Sequence, residues 1–208
     1  MVKVHAPALS LDASGSIAGA MVFSKWKGRN YVRELVIPAN PRSGAQTGVR
    51  SMFKFLAQEW AGLAAGEQAS WQDRADDLVA STFNGYMSYN QRRWRNFETP
   101  TQEEPPALLS VAPSGCTGVA TPGIRTMSLA ITHGANLGDW GVAIFRDLTT
   151  AFSLTWDKVI AVVPLDVAGD AEYVDAPLDP DQYFYNTVAF NDDGIKGADG
   201  TEFNGTIA

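Results

Sequence analysis

The chain has 208 residues, a length that accommodates two domains of roughly 100 residues each. Hydrophobic residues make up 45% of it and charged residues 19%, which is typical of globular proteins and argues against disorder throughout. It contains neither a run of about 18 apolar residues nor an apolar signal-peptide segment near the N-terminus, so the sequence predicts no membrane span or signal peptide. Cys116 is the single cysteine, which excludes a disulfide framework and favours a reducing cytoplasm.

Charge is distributed unevenly along the chain. Residues 1–98 hold 12 Lys and Arg against 8 Asp and Glu, a formal +4, whereas residues 99–208 hold 4 against 15, a formal −11. Residues 99–106 read TPTQEEPP, a proline-rich acidic stretch that suits neither a helix nor a buried strand. The sequence therefore predicts a linker at 99–106 between a basic and an acidic module.

The basic module begins with strand signals. Residues 1–20 are mostly small, which predicts a flexible N-terminal arm or a loose edge strand. Two β-prone runs, at 21–26 and 31–37, flank a short Gly- and Asn-bearing turn, the pattern of a β-hairpin. Basic side chains accompany Trp26 around this hairpin, and the candidate docking interface comprises Lys25, Trp26, Lys27, Arg29, Arg33 and Arg42.

Helical periodicity follows the hairpin. A first helix, capped by Ser43 or Thr47, is predicted to turn an apolar stripe inward, with Phe55 off that stripe. A second helix is predicted from about residue 66, and a third over about 83–96 with Asn90 and Trp94 inward. These helices complete a docking module over 21–98. The predicted stripe of the first helix comprises Val49, Met52, Phe53, Leu56, Trp60 and Leu63.

Beyond the linker the apolar period changes to two, the spacing of strands. Six or seven short strands with turn residues between them predict an acidic antiparallel β-sandwich over 107–208. The whole chain is therefore predicted to be α+β. The predicted strands lie at about 108–111, 126–133, 140–146, 158–163, 171–174, 183–191 and 203–207.

The C-terminal half resembles a fibronectin type III domain. The resemblance rests on residues 178–194, LDPDQYFYNTVAFNDDG, with a leucine–proline turn, a tyrosine, an alternating strand and a glycine. It implies that Tyr183 is a corner tyrosine whose hydroxyl bonds to upstream backbone. It also implies that Tyr185, Thr187 and Ala189 point into the core. The early tryptophan of that family is missing here.

The N-terminal half resembles an uncharacterised module of bacteriophage virion proteins. The matching cues are KWKG at 25–28, YVR at 31–33, IPANPRS at 37–43, Gln46 with Val49–Arg50, Trp60, Leu63 with Glu67, Trp71, and Gly85–Tyr86 to Asn90. This resemblance implies a virion component without defining its role.

The sequence favours no reaction. His5 and His133, the two histidines, lie in different modules, and adjacent carboxylates such as Asp76 and Asp77 point apart, so no catalytic residues are predicted. No cofactor-binding or metal residues are predicted, although turn acids at 166, 170, 179 and 181 leave calcium as an open alternative without EF-hand spacing. Nucleic acid is disfavoured as a partner because the module at −11 would repel it.

Taken together, these features predict a non-enzymatic structural protein of a bacteriophage virion, assembled in the host cytoplasm. Capsid decoration or stabilisation is the first expectation, with multiple copies bound to other virion proteins through the N-terminal module. A neck, tail or fibre-attachment component is an alternative. A host-surface module that binds glycan or protein through sandwich loops is another, with Trp140 and Trp156 as its candidate recognition residues.

Overall fold

A computed structural model describes residues 15–17, 21–27, 29–36, 43–106, 111–133, 139–166 and 168–208. The chain divides into two compact units, residues 1–41 and residues 42–208. The sequence prediction places the boundary elsewhere, at 99–106. The difference arises because the helices and the sandwich of the second unit share one hydrophobic core.

The described residues of the first unit form a small antiparallel sheet in the order β1-β2-β3. Its strands are β1 (Gly15–Ile17), β2 (Met21–Trp26) and β3 (Arg29–Glu34). The predicted hairpin is present as β2 and β3, with Trp26 opposite Arg29 and Met21 opposite Glu34. Within the predicted arm, residues 15–17 form an edge strand on β2, and residues 1–14 and 18–20 lie outside the described residues.

Four helical segments open the second unit. They are α1 (Gly44–Glu59), α2 (Ala65–Ser70), α3 (Gln72–Leu78) and α4 (Thr82–Arg95). The predicted second helix is divided at Trp71, whose side chain is fully buried. The Ser81 hydroxyl caps α4 by accepting from the Asn84 N–H, as expected for serine at this position. Ser43 precedes α1 without a side-chain capping bond.

Two antiparallel sheets form the C-terminal part of the second unit. One sheet has the order β10-β9-β6-β7, and the other has the order β4-β5-β8. β11 pairs with β9 on the edge that β10 also uses, because β6 lies along the other edge of β9. The strands are β4 (Thr117–Gly123), β5 (Thr126–Thr132), β6 (Asp139–Asp147), β7 (Val159–Pro164), β8 (Asp170–Asp175), β9 (Gln182–Asn191), β10 (Lys196–Asp199) and β11 (Phe203–Thr206).

The two sheets form an immunoglobulin-like β-sandwich, as predicted. The Tyr183 hydroxyl donates to the Asp179 carbonyl at 3.0 Å, which is the predicted tyrosine corner. Tyr185, Thr187 and Ala189 are fully buried on alternate positions of β9. The predicted first strand at 108–111 is not confirmed: Val111 lies in no strand, and residues 108–110 lie outside the described residues. Among the described residues, the first strand of the sandwich is β4.

The helices cover the outer face of the larger sheet. Residues from α1 and α4 share a core with residues of β6, β7 and β9. A β-bulge between Asp139 and Gly141 shifts the register of β6 and places Trp140 on this helical side. A Cβ at Gly141 would lie 2.8 Å from the Phe55 ring and 2.7 Å from the Phe190 ring, so the close approach requires glycine.

The predicted inward face of α1 needs one correction. Phe55, predicted off the stripe, is 1% exposed and contacts the Trp140 and Phe190 rings at centroid distances of 5.0 and 5.5 Å. Phe53, predicted inward, is 53% exposed. The reason is that α1 packs on the sheet as well as on α4, so its buried face extends beyond the stripe.

The proline-rich segment 99–106 is packed and hydrogen-bonded. Asn90, fully buried on α4, donates to the Thr101 carbonyl at 2.9 Å and accepts from the Thr101 N–H at 2.8 Å. The Gln102 carbonyl accepts from the Trp71 indole at 2.9 Å, and the Gln102 N–H donates to the Asp192 carbonyl at 2.8 Å. The segment is therefore a strap that joins the helices to the β9–β10 turn, because helix side chains and the Asp192 carbonyl satisfy its backbone groups.

Candidate functional site

One face of the β2–β3 hairpin combines aromatic and basic side chains. In this antiparallel pair Trp26 lies opposite Arg29, Ser24 opposite Tyr31, and Val22 opposite Arg33. Residues directly opposite each other, and residues two apart on one strand, project to the same side of a sheet. The aromatic–basic face is therefore defined by Trp26, Arg29, Tyr31 and Arg33.

These side chains are accessible. Trp26 is 65% exposed, and Arg29, Tyr31 and Arg33 are also exposed. Lys27 follows Trp26 with a φ of 47°, in the left-handed region of a tight turn, and its ammonium lies 4.8 Å from the Trp26 ring centroid. The indole is thus presented at the tip of the hairpin beside a cation.

The hairpin separates the predicted docking residues. Trp26, Arg29 and Arg33 share the aromatic–basic face, and Lys27 flanks it at the turn. Lys25 lies on the opposite face with Phe23, and Arg42 lies outside the described residues. Tyr31 belongs to the face but is absent from the predicted set. The alternation of strand residues would have predicted it, because Tyr31 lies two residues after Arg29 and two before Arg33.

Trp, Tyr and Arg are the side chains that most often dominate the energetics of protein interfaces. They combine a large apolar area with a polar or charged group, so they bind a surface of mixed apolar and acidic character. The aromatic–basic face carries all three types on adjacent positions, and it is suited to protein binding.

Of the two loop tryptophans predicted to recognise a ligand, Trp140 is buried. It is 6% exposed, and its indole N–H donates to Glu59 Oε2 of α1 at 2.9 Å. Trp140 offers no ring face to an external ligand, because the bulge in β6 turns it beneath α1. The prediction for Trp140 is therefore corrected.

Trp156 occupies a different position. It is half-buried in a short 3₁₀ turn, Trp156–Lys158, and its ring contacts those of Trp94 and Phe97. Lys158 in the same turn pairs with Asp147 at 2.6 Å across the loop between β6 and β7. This ion pair braces the loop that presents Trp156.

Replacing Asp147 by Asn tests this brace. The Lys158 ammonium lowers the Asp147 pKa to about 2. Because folding lowers the Asp147 pKa below its ordinary value of 3.8, the charged carboxylate stabilises the fold above pH 4. This stabilisation is lost as the pH falls from 4 to 2 and the carboxylate becomes protonated. The side-chain amide of the variant would still accept from the Leu148 and Thr149 N–H groups but would carry no charge.

We therefore expect Asp147→Asn to lower the free energy of unfolding by about 1 kcal/mol at pH 7, and by much less at pH 2.5. Chemical denaturation of both proteins at the two pH values measures the difference. A difference that stays constant between pH 7 and pH 2.5 would contradict the role of the charge.

Of the two histidines, His5 lies outside the described residues. His133 is buried, with Nε2 3.0 Å from the Ser114 carbonyl oxygen. Within the described ranges, no cluster of three or more His, Cys, Asp or Glu could hold a metal ion. Across these same ranges, no helix has the length and apolar character needed to span a membrane.

No protein family model matches this chain, and no curated protein matches it significantly. Among solved structures, it is similar to the PKD domain of an M14-like peptidase from a Thermoplasmatales archaeon, with 13% identity, a TM-score of 0.33, and coverage of 48% of this chain and 98% of that one. It is also similar to an Fn3-like protein from Clostridium thermocellum, with 19% identity, a TM-score of 0.33, and coverage of 50% and 96%.

A third similar structure is a beta-1,2-glucanase from Parabacteroides distasonis, with 13% identity and a TM-score of 0.37. That match covers 52% of this chain and 14% of the glucanase. Residues 117–206 form an immunoglobulin-like sandwich by their own strand order and tyrosine corner. Since sandwiches of this kind host many functions, the fold assigns none.

Proposed function

We propose that this protein is a non-enzymatic structural component of a bacteriophage virion that decorates or stabilises the capsid. The observation that carries the proposal is the exposed aromatic–basic face of the hairpin unit. The resemblance of residues 25–90 to a virion module supports the choice of particle. In this proposal the hairpin unit docks on a capsid protein, and other copies dock at equivalent positions.

The charge distribution supports docking by the hairpin. Residues 1–41 carry 5 Lys and Arg against 2 Asp and Glu, whereas residues 42–208 carry 11 against 21. An acidic, partly apolar patch on the capsid would therefore attract the hairpin unit and repel residues 42–208. Electrostatic complementarity of this kind fixes which part of the chain contacts the particle.

Replacing Trp26 by Ala tests the docking face. We expect this change to weaken binding to capsids about 10- to 100-fold, the effect of losing an aromatic residue at the centre of an interface. Purified protein is added to particles assembled without it, and bound copies are quantified after sedimentation over a range of concentrations.

Val32→Ala is the matched control, because Val32 is an exposed apolar residue on the opposite face of the same hairpin. This variant should bind within about threefold of the original protein. Equal binding by all three proteins would contradict docking through the aromatic–basic face. Binding confined to the neck or tail would move the protein to the alternative location.

A further inference from the structure

The outer edge of β3 is unpaired among the described strands. β3 pairs with β2 on one side, and the described sheet of the first unit ends with β3 on the other. The side chains of β3 at positions 29 and 31–34 are exposed, which leaves the strand accessible. An accessible edge strand presents a row of unpaired N–H and C=O groups, and another strand can pair with them.

The hairpin turn determines which backbone groups of β3 face outward. Trp26 pairs with Arg29 with two residues between them, and the pair that flanks such a turn is hydrogen-bonded. Hydrogen-bonded and non-hydrogen-bonded pairs alternate along an antiparallel ladder, so Tyr31 and Arg33 also bond to β2. The backbone N–H and C=O groups that point away from β2 belong to Asn30, Val32 and Glu34.

Several of the other described edges carry features that oppose the addition of a strand. In β7 the Val162 N–H donates to the Ser51 hydroxyl of α1, which occupies that position of the edge. β4 contains Pro122, which lacks an N–H, and β10 pairs with β9 in a shifted register. β3 contains no proline, and its register with β2 is unbroken. It therefore lacks these protections against pairing.

A second copy of β3 is complementary to this edge. Two copies related by a two-fold axis normal to the sheet would pair in antiparallel fashion, with like faces on the same side. When Val32 lies opposite Val32 of the second copy, outward backbone groups meet outward groups. On the aromatic–basic face, Tyr31 then lies opposite Arg33 of the second copy, where the guanidinium can stack on the ring.

Charge selects this register over its neighbours. A shift of the second copy by two residues in one direction would place Arg29 opposite Arg33 of the second copy. A shift by two residues in the other direction would place Arg33 opposite Arg33. Like charges directly opposite each other destabilise a strand pair, whereas the register centred on Val32 places each Arg33 opposite a tyrosine. Shifts by a single residue are excluded because they would place opposite residues on different faces.

We propose that this protein forms a symmetric dimer in which β3 pairs with β3 of a second copy, centred on Val32. The described strands of the two hairpin units then form one six-stranded sheet in the order β1-β2-β3-β3-β2-β1. Both aromatic–basic faces lie on the same side of this sheet. Two joined faces bind a repeated surface more tightly than one. That last consequence rests on the proposed function, whereas the dimer itself does not.

Analytical ultracentrifugation of the full chain, from about 1 µM to about 1 mM, tests the dimer over the range of weak interfaces. We expect a monomer–dimer equilibrium. Val32→Pro removes an outward N–H but keeps the bonds to β2, so it should weaken dimerisation at least about tenfold. Val32→Ala is the matched control: it keeps the N–H and should dimerise within about threefold of the original protein. A chain that stays monomeric throughout, or equal dimerisation by Val32→Pro, would overturn the proposal.

Disulfide trapping tests the register. Val32→Cys places two thiols at the centre of the pairing, where opposite Cα atoms lie about 5.5 Å apart, within the reach of a disulfide. This variant should form a covalent dimer on mild oxidation. Arg29→Cys is the matched control, because at about 3.4 Å per residue its two Cα atoms would lie about 20 Å apart. Cys116 is buried in the original chain.

Equal trapping of the Val32→Cys and Arg29→Cys variants, or of neither, would overturn the register centred on Val32. Trapping of Val32→Cys alone would support it. Because neither experiment contains capsids, a negative result here leaves capsid docking untouched, and failure of capsid docking leaves the dimer untouched.

Discussion

Replacing Phe55 by Ala is expected to lower the free energy of unfolding of residues 42–208 by about 3–5 kcal/mol, the usual cost of removing a buried phenylalanine ring. The Phe55 ring lies between α1 and the sandwich, where it contacts Trp140 and Phe190. Its removal leaves a cavity that neither the helix nor the sheet can fill alone. For a unit of this size the Tm should fall by about 6–20 °C.

The same variant tests whether helices and sandwich unfold together. Because both contribute to one core, helical and near-ultraviolet signals should be lost in a single transition that moves as a whole. Phe53→Ala, in the same helix, removes an exposed ring and should change stability by no more than about 0.5 kcal/mol. Loss of the helical signal alone, with the sandwich transition unchanged, would show that the two parts are separate domains.

Replacing Asn90 by Ala is expected to lower the free energy of unfolding by about 2–4 kcal/mol. The change leaves the Thr101 N–H and carbonyl buried without their partner, and each unsatisfied group costs about 1–3 kcal/mol. Amide hydrogen exchange should also accelerate across residues 99–106, because the strap loses the contact that fixes its centre.

Asn84→Ala is the control for Asn90, since Asn84 is an exposed residue of the same helix. It should leave both stability and exchange in residues 99–106 almost unchanged. If this segment exchanged at the rate of an unstructured peptide in the original protein, the strap would be a free linker, as the sequence suggests.

The periodicity of the sequence predicts the elements better than it predicts their packing. The alternation from Tyr183 to Ala189 predicts the buried face of β9, and the tyrosine corner follows from the residues around Tyr183. β4 is missed because its sequence, TGVATPG, has too few large apolar residues to show an alternating pattern.

Long-range contacts explain the remaining differences. Residues 99–106 have the composition of a linker, and only the approach of Asn90 and Trp71 converts them into a packed strap. Trp140 begins a predicted strand, a position that does not fix the direction of its side chain, and a bulge in β6 places it beneath α1. Neither the bulge nor the side chains that approach the strap leave a local signal in the sequence.

The sequence also predicts some of the candidate functional residues but not others. The aromatic–basic face follows from strand alternation once the turn is placed, so Trp26, Arg29 and Arg33 are predictable from the sequence. The contact between the Trp94 and Trp156 rings is not predictable, because the two residues come from separate segments that meet only in the folded unit.

Electron cryomicroscopy of the virion, with and without this protein, tests the central claim of capsid docking most directly. We expect density at regular positions on the capsid that disappears when the protein is absent. Adding purified protein should restore that density, and adding the Trp26→Ala variant at the same concentration should not. Capsids that look the same with and without the protein, and that contain no copy of it, would contradict the account.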